Sequence, residues 1–256
     1  MTQPSPAAPK GIISSADLPD EAYHRLLVMG DPKDGKTYTS VSTCEGPCLV
    51  INSDDKYSLQ KVKDAGFTFD MIFVDGNDPQ KMFDAIVLVR KAVKEGRYRT
   101  VIWDTLSVYS RRSCIVYEDA TRNAQGLSDG RRYYPQHFNH VMTVVDMLLS
   151  LDCHVIVNTH YERQTEQLIE GQAPKEGDGI VSSLPGKLRL QMAGAFQNVV
   201  WLRVDPGTET RRFVWRQKGV YGLRGRTLPK DVDSCKADIK ELWAMIQKQR
   251  QEDLKK

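Results

Sequence analysis

The sequence has no apolar run of about eighteen residues, so no membrane-spanning helix is expected. Its first residues, MTQPSPAAPKG, lack the apolar middle of a signal peptide and are rich in Pro and Ala, which predicts a disordered tail over 1–22. Cysteine is sparse: Cys44, Cys48, Cys114, Cys153 and Cys235 form an odd, scattered set with no disulfide framework in it. Reduced thiols in a cytoplasmic protein are the expectation. Cys44 and Cys48 stand close, but no second Cys/His pair follows at zinc-finger spacing, so a structural zinc is not expected. The net charge of +3 is too small to imply a polyanionic partner by itself. No internal repeat is visible, which excludes solenoids and propellers.

What the sequence does have is Gly30-Asp31-Pro32-Lys33-Asp34-Gly35-Lys36-Thr37, the pattern G-x-x-x-x-G-K-T of a phosphate-binding loop. The run Arg25 to Met29 before it is of strand type, and Thr37 to Cys44 after it can continue as a helix. Glycines at both ends let the backbone curl so that its N–H groups form a nest for phosphate oxygens. The helix that follows adds its partial positive charge. In this reading the nucleotide is held by residues 30 to 38, namely Gly30, Asp31, Pro32, Lys33, Asp34, Gly35, Lys36, Thr37 and Tyr38. Lys36 reaches the β- and γ-phosphates, and Thr37 offers its hydroxyl to Mg²⁺.

Downstream, strand-type runs alternate with helical spacing. CLVIN (Cys48 to Asn52), Met71 to Val74, Thr100 to Thr105 and Asp152 to Thr159 read as buried strands. Gln80 to Glu95, Arg111 to Ala124 and Tyr133 to Leu151 read as helices. Glu162 to Lys187 has no steady period and reads as a long, mobile surface loop. Gln197 to Val204 and Thr210 to Lys218, joined by Asp205-Pro206-Gly207, read as a β-hairpin, and Asp238 to Lys248 as an amphipathic helix. The alternation predicts an α/β fold: a mostly parallel sheet flanked by helices, with a C-terminal antiparallel hairpin on one edge. One P-loop ATPase domain is expected over 23–230, followed by a helix and charged tail over 231–256.

Acids recur at strand ends. Asp104 closes VIW as a Walker-B acid does, and is expected to hold the water shell of Mg²⁺ with Thr37. Asp54 and Asp55 close the second strand. Asp54 is the preferred candidate to orient the attacking water, the alternative being a helix cap. Asn158, Thr159 and His160 end another strand, where one polar side chain could sense the γ-phosphate, or His160 could be an ordinary surface histidine.

Charge is uneven along the chain. Positions 211–256 carry thirteen Lys/Arg against six Asp/Glu, which leaves the remainder at −4. Trp215 and Tyr221 interleave with the basic residues, a mixture that suits single-stranded nucleic acid, or simply a solvated sheet edge. Arg216, Lys218, Arg224 and Arg226 are the candidate DNA contacts, and Arg224 or Arg226 could instead reach a neighbour's nucleotide.

Taken as an ordered set, GDPKDGKT, VINSDD, VIWDTLS and VIVNTH resemble the RecA superfamily. The segments SLPGKLRLQMAGAFQNVVWLRV and VYGLRGRT resemble the small RecA-core ATPases of tailed phages, several of which are assigned to recombination or single-strand annealing. The resemblance implies a RecA-like core using ATP and Mg²⁺, with Lys36, Asp54, Asp104 and His160 as catalytic set. It further implies action on single-stranded DNA, a homo-oligomeric ring or filament, and the host cell's cytoplasm if phage-encoded. The carboxylate is Asp54 where RecA has Glu. The stretch 162–187, where RecA cores keep a DNA-contacting loop, holds five acids, so DNA contact is expected in the C-terminal basic stretch. A small-molecule kinase and a non-catalytic nucleotide-gated adaptor use the same loop and stand as alternatives.

Overall fold

A computed structural model describes residues 23–164, 179–205, 207–216 and 223–253, without the side chains of 163, 164, 179, 180 and 224. The expected tail over 1–22, Lys218, Tyr221 and the middle of the 162–187 stretch lie outside the described residues.

The parallel part of the sheet is built from short apolar strands: β1 (Arg25–Met29), β2 (Cys48–Asn52), β3 (Asp70–Phe73), β4 (Thr100–Asp104) and β5 (His154–Thr159). β2, β4 and β5 are buried along their whole length. Near-continuous hydrophobicity of this kind is what a parallel strand covered on both faces requires. Three further strands, β8 (Asn198–Val204), β9 (Arg211–Val214) and β11 (Ser234–Lys236), extend the sheet. Its order is β11-β9-β8-β1-β5-β4-β2-β3. The two-residue β10 (Arg224–Gly225) pairs with the start of β8. β8 still runs parallel to β1, and the antiparallel part begins at β9. The expected hairpin is therefore present, but its first strand belongs to the parallel block.

Helices cover both faces. On one lie α1 (Lys36–Thr43), α2 (Gln60–Asp64) and α7 (Ile239–Asp253). Val41, Val62, Leu242, Trp243 and Ile246 from these helices pack on Leu26, Val28, Val50 and Phe213 of the sheet. On the other lie α3 (Pro79–Lys94), α4 (Leu106–Asp119), α5 (Gly130–Leu149) and α6 (Leu188–Ala195). Met82, Ile86, Tyr109, Val144, Leu148 and Met192 pack there on Leu27, Ile51, Trp103 and Val199. Alternation along each strand sends successive side chains to the two cores. α3 opens with Pro79 in its first turn, where a missing N–H is harmless, and ends at Gly96 with φ +73°.

Two stretches differ from the sequence reading. The ends of 162–187 are not loop: β6 (Tyr161–Gln164) and β7 (Gly179–Ser182) pair antiparallel as a separate two-stranded sheet. Four-residue strands are too short for alternation to declare them. α4 starts at Leu106 rather than at Arg111, because the chain turns into helix immediately after the strand carrying Asp104. No helix among the described residues is long and apolar enough to cross a membrane.

Candidate functional site

The glycine loop leaves β1 at the carboxyl end of the sheet. The Gly30 N–H donates to the Thr159 carbonyl (3.2 Å), which fastens the loop to the end of β5. The loop then closes on itself: Asp34 N–H donates to the Asp31 carbonyl (3.2 Å), and Asp31 N–H to Asp34 Oδ2 (2.8 Å). Gly35 has φ +88°, and a Cβ there would stand 2.9 Å from Arg211 Nε. The backbone angle demands glycine at that position, and a Cβ would also push the Arg211 guanidinium aside. α1 follows at once, with Thr39 N–H donating to the Gly35 carbonyl (2.8 Å).

Lys36 is folded across this loop. Its Nζ donates to the carbonyls of Gly30 (2.9 Å) and Asp31 (2.8 Å), and the residue is buried. Burial pulls its pKa below the ordinary lysine value, while the carboxylates of Asp104, Asp34, Asp31 and Asp54 work against that pull. A buried ammonium held only by carbonyls in a curled, glycine-hinged loop is a fitting cradle for phosphate oxygens.

The strand order decides what lies beneath the loop. β5 sits between β1 and β4, so the ends of all three strands meet. Asp104 ends β4, is 1% exposed, and has both carboxylate oxygens engaged. Thr37 Oγ1 donates to Oδ2 (2.7 Å), and Asn158 Nδ2 donates to Oδ1 (2.9 Å). Ser40 Oγ on α1 donates in turn to Asn158 Oδ1 (3.0 Å). Burial raises the Asp104 pKa, and the hydrogen bonds from Thr37 and Asn158, with the charge of Lys36, oppose the rise. The Asp104–Thr105 peptide is cis.

Among the described residues, no group of three or more His, Cys, Asp or Glu could hold a metal ion. The oxygens of Thr37 and Asp104 do fit Mg²⁺, which takes few protein ligands and completes its shell with phosphates and water.

Asp54 lies one strand further on, after β2. Arg112 on α4 fixes that turn, its Nη1 donating to the carbonyls of Ser53 (3.0 Å) and Asp54 (3.1 Å). Asp55 has turn work, accepting the Tyr57 N–H at 2.9 Å. The Asp54 carboxylate has no hydrogen bond or ion pair among the described residues, and its charge is felt at Lys36, Asp104 and His160. His160 does not join the Asp104 chain. Its N–H donates to Ser107 Oγ (3.2 Å), and its ring lines an open cleft of about 520 Å³ with Pro32, Arg111, Cys114 and Leu184. Burial first, then Lys36, lowers its pKa.

The remaining candidates are dispersed. Tyr38 is exposed, with its ring edge-on to Phe67 (5.7 Å). Arg216 donates to the Lys230 carbonyl and stands 3.5 Å from Asp233. Arg226 is exposed beside Gln197, at the end of β8 away from the glycine loop, and its N–H donates to the Gln197 carbonyl (3.3 Å). Arg224 contributes its backbone to β10. The sequence did not single out Ser40, Arg112 or Tyr161, and it offered Arg211 only as a member of the basic C-terminal stretch. Tyr161 donates its hydroxyl to Asp31 Oδ2 (3.0 Å), and Arg211 Nε donates to the Asp34 carbonyl (2.7 Å) from 177 residues away. Ser40 had a weak signal, one helical turn after Thr37; Arg112 and Tyr161 had none.

No curated protein sequence matches the chain. Among solved structures it is similar to a KaiC-like protein, PH0186, from Pyrococcus horikoshii OT3, at 12% identity and a TM-score of 0.41, covering 74% of this chain and 76% of that one. It is also similar to an ATPase from the type III secretion system of pathogenic bacteria, at 11% identity and a TM-score of 0.45, covering 70% of this chain and 52% of that one. The family model described as AAA domain matches residues 22–227. That is more than half of the chain, and the glycine loop, Asp104 and Asn158 all fall within it: the chain belongs to the AAA domain family.

Proposed function

We propose that this domain binds ATP with Mg²⁺ and hydrolyses it, and that hydrolysis serves single-stranded DNA in recombination or annealing. The observation that carries the hydrolytic part is the chain Thr37–Asp104–Asn158–Ser40 beneath the loop, with the uncommitted Asp54 carboxylate beside it. Lys36 exchanges its two carbonyl partners for β- and γ-phosphate oxygens. Thr37 and Asp104 would hold Mg²⁺ and its waters, and the ion would supply positive charge that offsets the charge of the phosphates. Asp54 accepts a hydrogen bond from the attacking water and orients it toward the γ-phosphorus. The bond to the bridging oxygen breaks, giving ADP and inorganic phosphate. Asn158 positions Asp104, and His160 meets the phosphate from the cleft side.

The DNA part is supported by the excess of Lys/Arg after position 211 and by the resemblance to recombination ATPases of phages. Assembly as a homo-oligomer would let an exposed arginine such as Arg226 complete a neighbour's site. One observation favours a second reading. The cleft beside His160 and Arg111 opens where an acceptor of the γ-phosphate would sit, as a small-molecule kinase requires.

Phosphate release with Mg²⁺-ATP, with and without single-stranded oligonucleotide, tests both. Hydrolysis that DNA accelerates, and that Lys36→Ala and Asp54→Asn abolish, is the expected result. ATP consumption without free phosphate would mean transfer to an acceptor, and binding without turnover would mean a nucleotide-gated adaptor.

A further inference from the structure

We propose that the open face of β8, β9 and β11 binds the phosphodiester backbone of a single nucleic-acid strand through Arg203, Arg212 and Lys236, with Arg216 at its border. The proposal rests on the reading that the ATPase acts on nucleic acid, and it names a surface that differs from the 216–226 stretch.

The register makes the row. Arg203 on β8 is the partner of Arg212 on β9, and Arg212 is the partner of Lys236 on β11. All three are exposed. Their neighbours Leu202, Phe213 and Cys235 point the other way, into the core with α7. On the side of the row, Trp201 and Val214 are still packed into the opposite core with Leu188 and Met192 of α6, and the next residues along the strands are open. Strands lie about 4.8 Å apart, so three cations share roughly 10 Å of surface. Among the described residues, no carboxylate stands within 4.0 Å of any of the three. Nearby acids are engaged elsewhere: Asp233 faces Arg216 at 3.5 Å, and Asp205 Oδ1 accepts the Gly207 N–H at 3.1 Å. The row borders a shallow cavity of about 380 Å³ lined by Arg203, Arg212 and Arg216 together with Asp205 and Asp233, so three cations face two carboxylates there.

Edge protection accounts for only one of the three. A lysine on an edge strand guards against edge-to-edge aggregation, and β11 is the edge strand, which covers Lys236. Arg212 and Arg203 stand on the two strands inside it, where like charges placed directly opposite weaken the sheet. Arg212 Nε (3.3 Å) and Nη2 (2.9 Å) donate to Ser234 Oγ, and Arg203 lies 5.6 Å from the centre of the Trp201 ring; these partners are neutral, so the row keeps its charge and is complementary to a line of phosphates. The same strand touches the nucleotide site. Arg211, adjacent to Arg212 and on the opposite face, donates to the Asp34 carbonyl of the glycine loop. A strand seated on the row and a nucleotide in the loop therefore bias the same β9, so the two affinities should be linked.

The test is anisotropy of a labelled oligo-dT with the full chain, with Mg²⁺-ATP or without nucleotide, over a series of salt concentrations. Arg203→Glu/Arg212→Glu is compared with the charge-matched Lys91→Glu/Lys94→Glu, two exposed lysines on α3. Arg203→Gln/Arg212→Gln is a milder second variant, and thermal unfolding checks each fold. We expect the row variants to weaken binding at least about tenfold and to lower the salt slope by about 1.4, some 0.7 per lost phosphate contact. The control should change neither. The unfolding temperature of Arg203→Gln/Arg212→Gln should stay level or rise, since like-charge repulsion is removed, whereas the Glu variant again sets two like charges opposite each other. Equal losses in row and control variants would overturn the row while leaving DNA binding intact. Binding unaffected by either would do the same. No binding by the wild type at low salt would overturn the row and the DNA reading together. Labelled polyglutamate runs in parallel: if it binds through the row more tightly than oligo-dT, the occupant is an acidic peptide and the proposal falls.

Discussion

Asn158→Leu tests whether the amide of Asn158 holds a charged, buried carboxylate. The substitution keeps the number and branching of the side-chain heavy atoms but removes two things. Asp104 Oδ1 loses its 2.9 Å donor, and Ser40 Oγ loses its 3.0 Å acceptor. A hydrogen bond to a charged group contributes about 1.5–3 kcal/mol, and an orphaned buried hydroxyl costs about 1–3 kcal/mol. The expected destabilisation is therefore about 2.5–6 kcal/mol, against a total on the order of 5–15 kcal/mol for a domain. The loss should depend on pH with a definite sign. Burial already raises the Asp104 pKa above its unfolded value, and the Asn158 bond opposes the rise. Without that bond the pKa climbs further. The cost is then felt fully where wild-type Asp104 is ionised, and shrinks as pH falls and the carboxyl takes up its proton. Urea unfolding of variant and wild type at about pH 8 and about pH 5.5 reads this difference directly, because the other titrating groups cancel. Ser40→Ala/Asn158→Leu should be less destabilised than the sum of the two single changes, since the orphaned hydroxyl is gone. A loss under about 1 kcal/mol at pH 8, or a loss that grows as pH falls, would refute the reasoning.

Gly35→Ala places a Cβ at φ +88° and 2.9 Å from Arg211 Nε. The left-handed backbone alone costs about 1–2 kcal/mol, so unfolding should shift by at least that much and the rise in melting temperature on adding ATP should vanish. Trp243→Ala removes the ring that stacks on His24 (centroids 4.3 Å apart) and fixes α7 to the sheet, with an expected loss of about 3–5 kcal/mol by urea unfolding. Acid should destabilise the fold well above carboxylate pKa values. Burial lowers His24, His137 and His140 from 6.5 to about 4 each. The unfolded chain thus binds more protons than the folded one between those values, and stability is lost as pH falls from 6.5 toward 4. The three together, discounted for partial solvent screening, are worth about 4 kcal/mol at pH 5, and His140→Phe should flatten part of that slope.

The site was partly legible because some of its parts are local. A curled loop that must end in a left-handed glycine and start a helix leaves its whole signature in eight consecutive residues, Gly30 to Thr37. Asp104 was legible for a similar reason: in a parallel sheet, an acid that closes an apolar strand falls at the edge where the phosphate loop also sits. The alternation of strand and helix, and hence a mostly parallel sheet between helices, followed from period alone. Periodicity says nothing about which strands are neighbours. Only the tertiary structure inserts β5 between β1 and β4, and that insertion puts Asn158, not His160, on Asp104. The strands β6 and β7 are too short to carry a period, so their pairing is decided by contacts across the chain rather than along it. Arg211 reaches the loop from 177 residues away. The basic C-terminal stretch was visible as composition, yet its members separate in space: strand alternation sends Arg211 to the loop and Arg212 to the open face, where cross-strand register aligns it with Arg203 and Lys236. Sequence determines what each residue can do locally, through backbone angle, period and charge. Which of those capacities meet in one place is set by strand order and register, and these follow from burying two hydrophobic cores on opposite faces of one sheet.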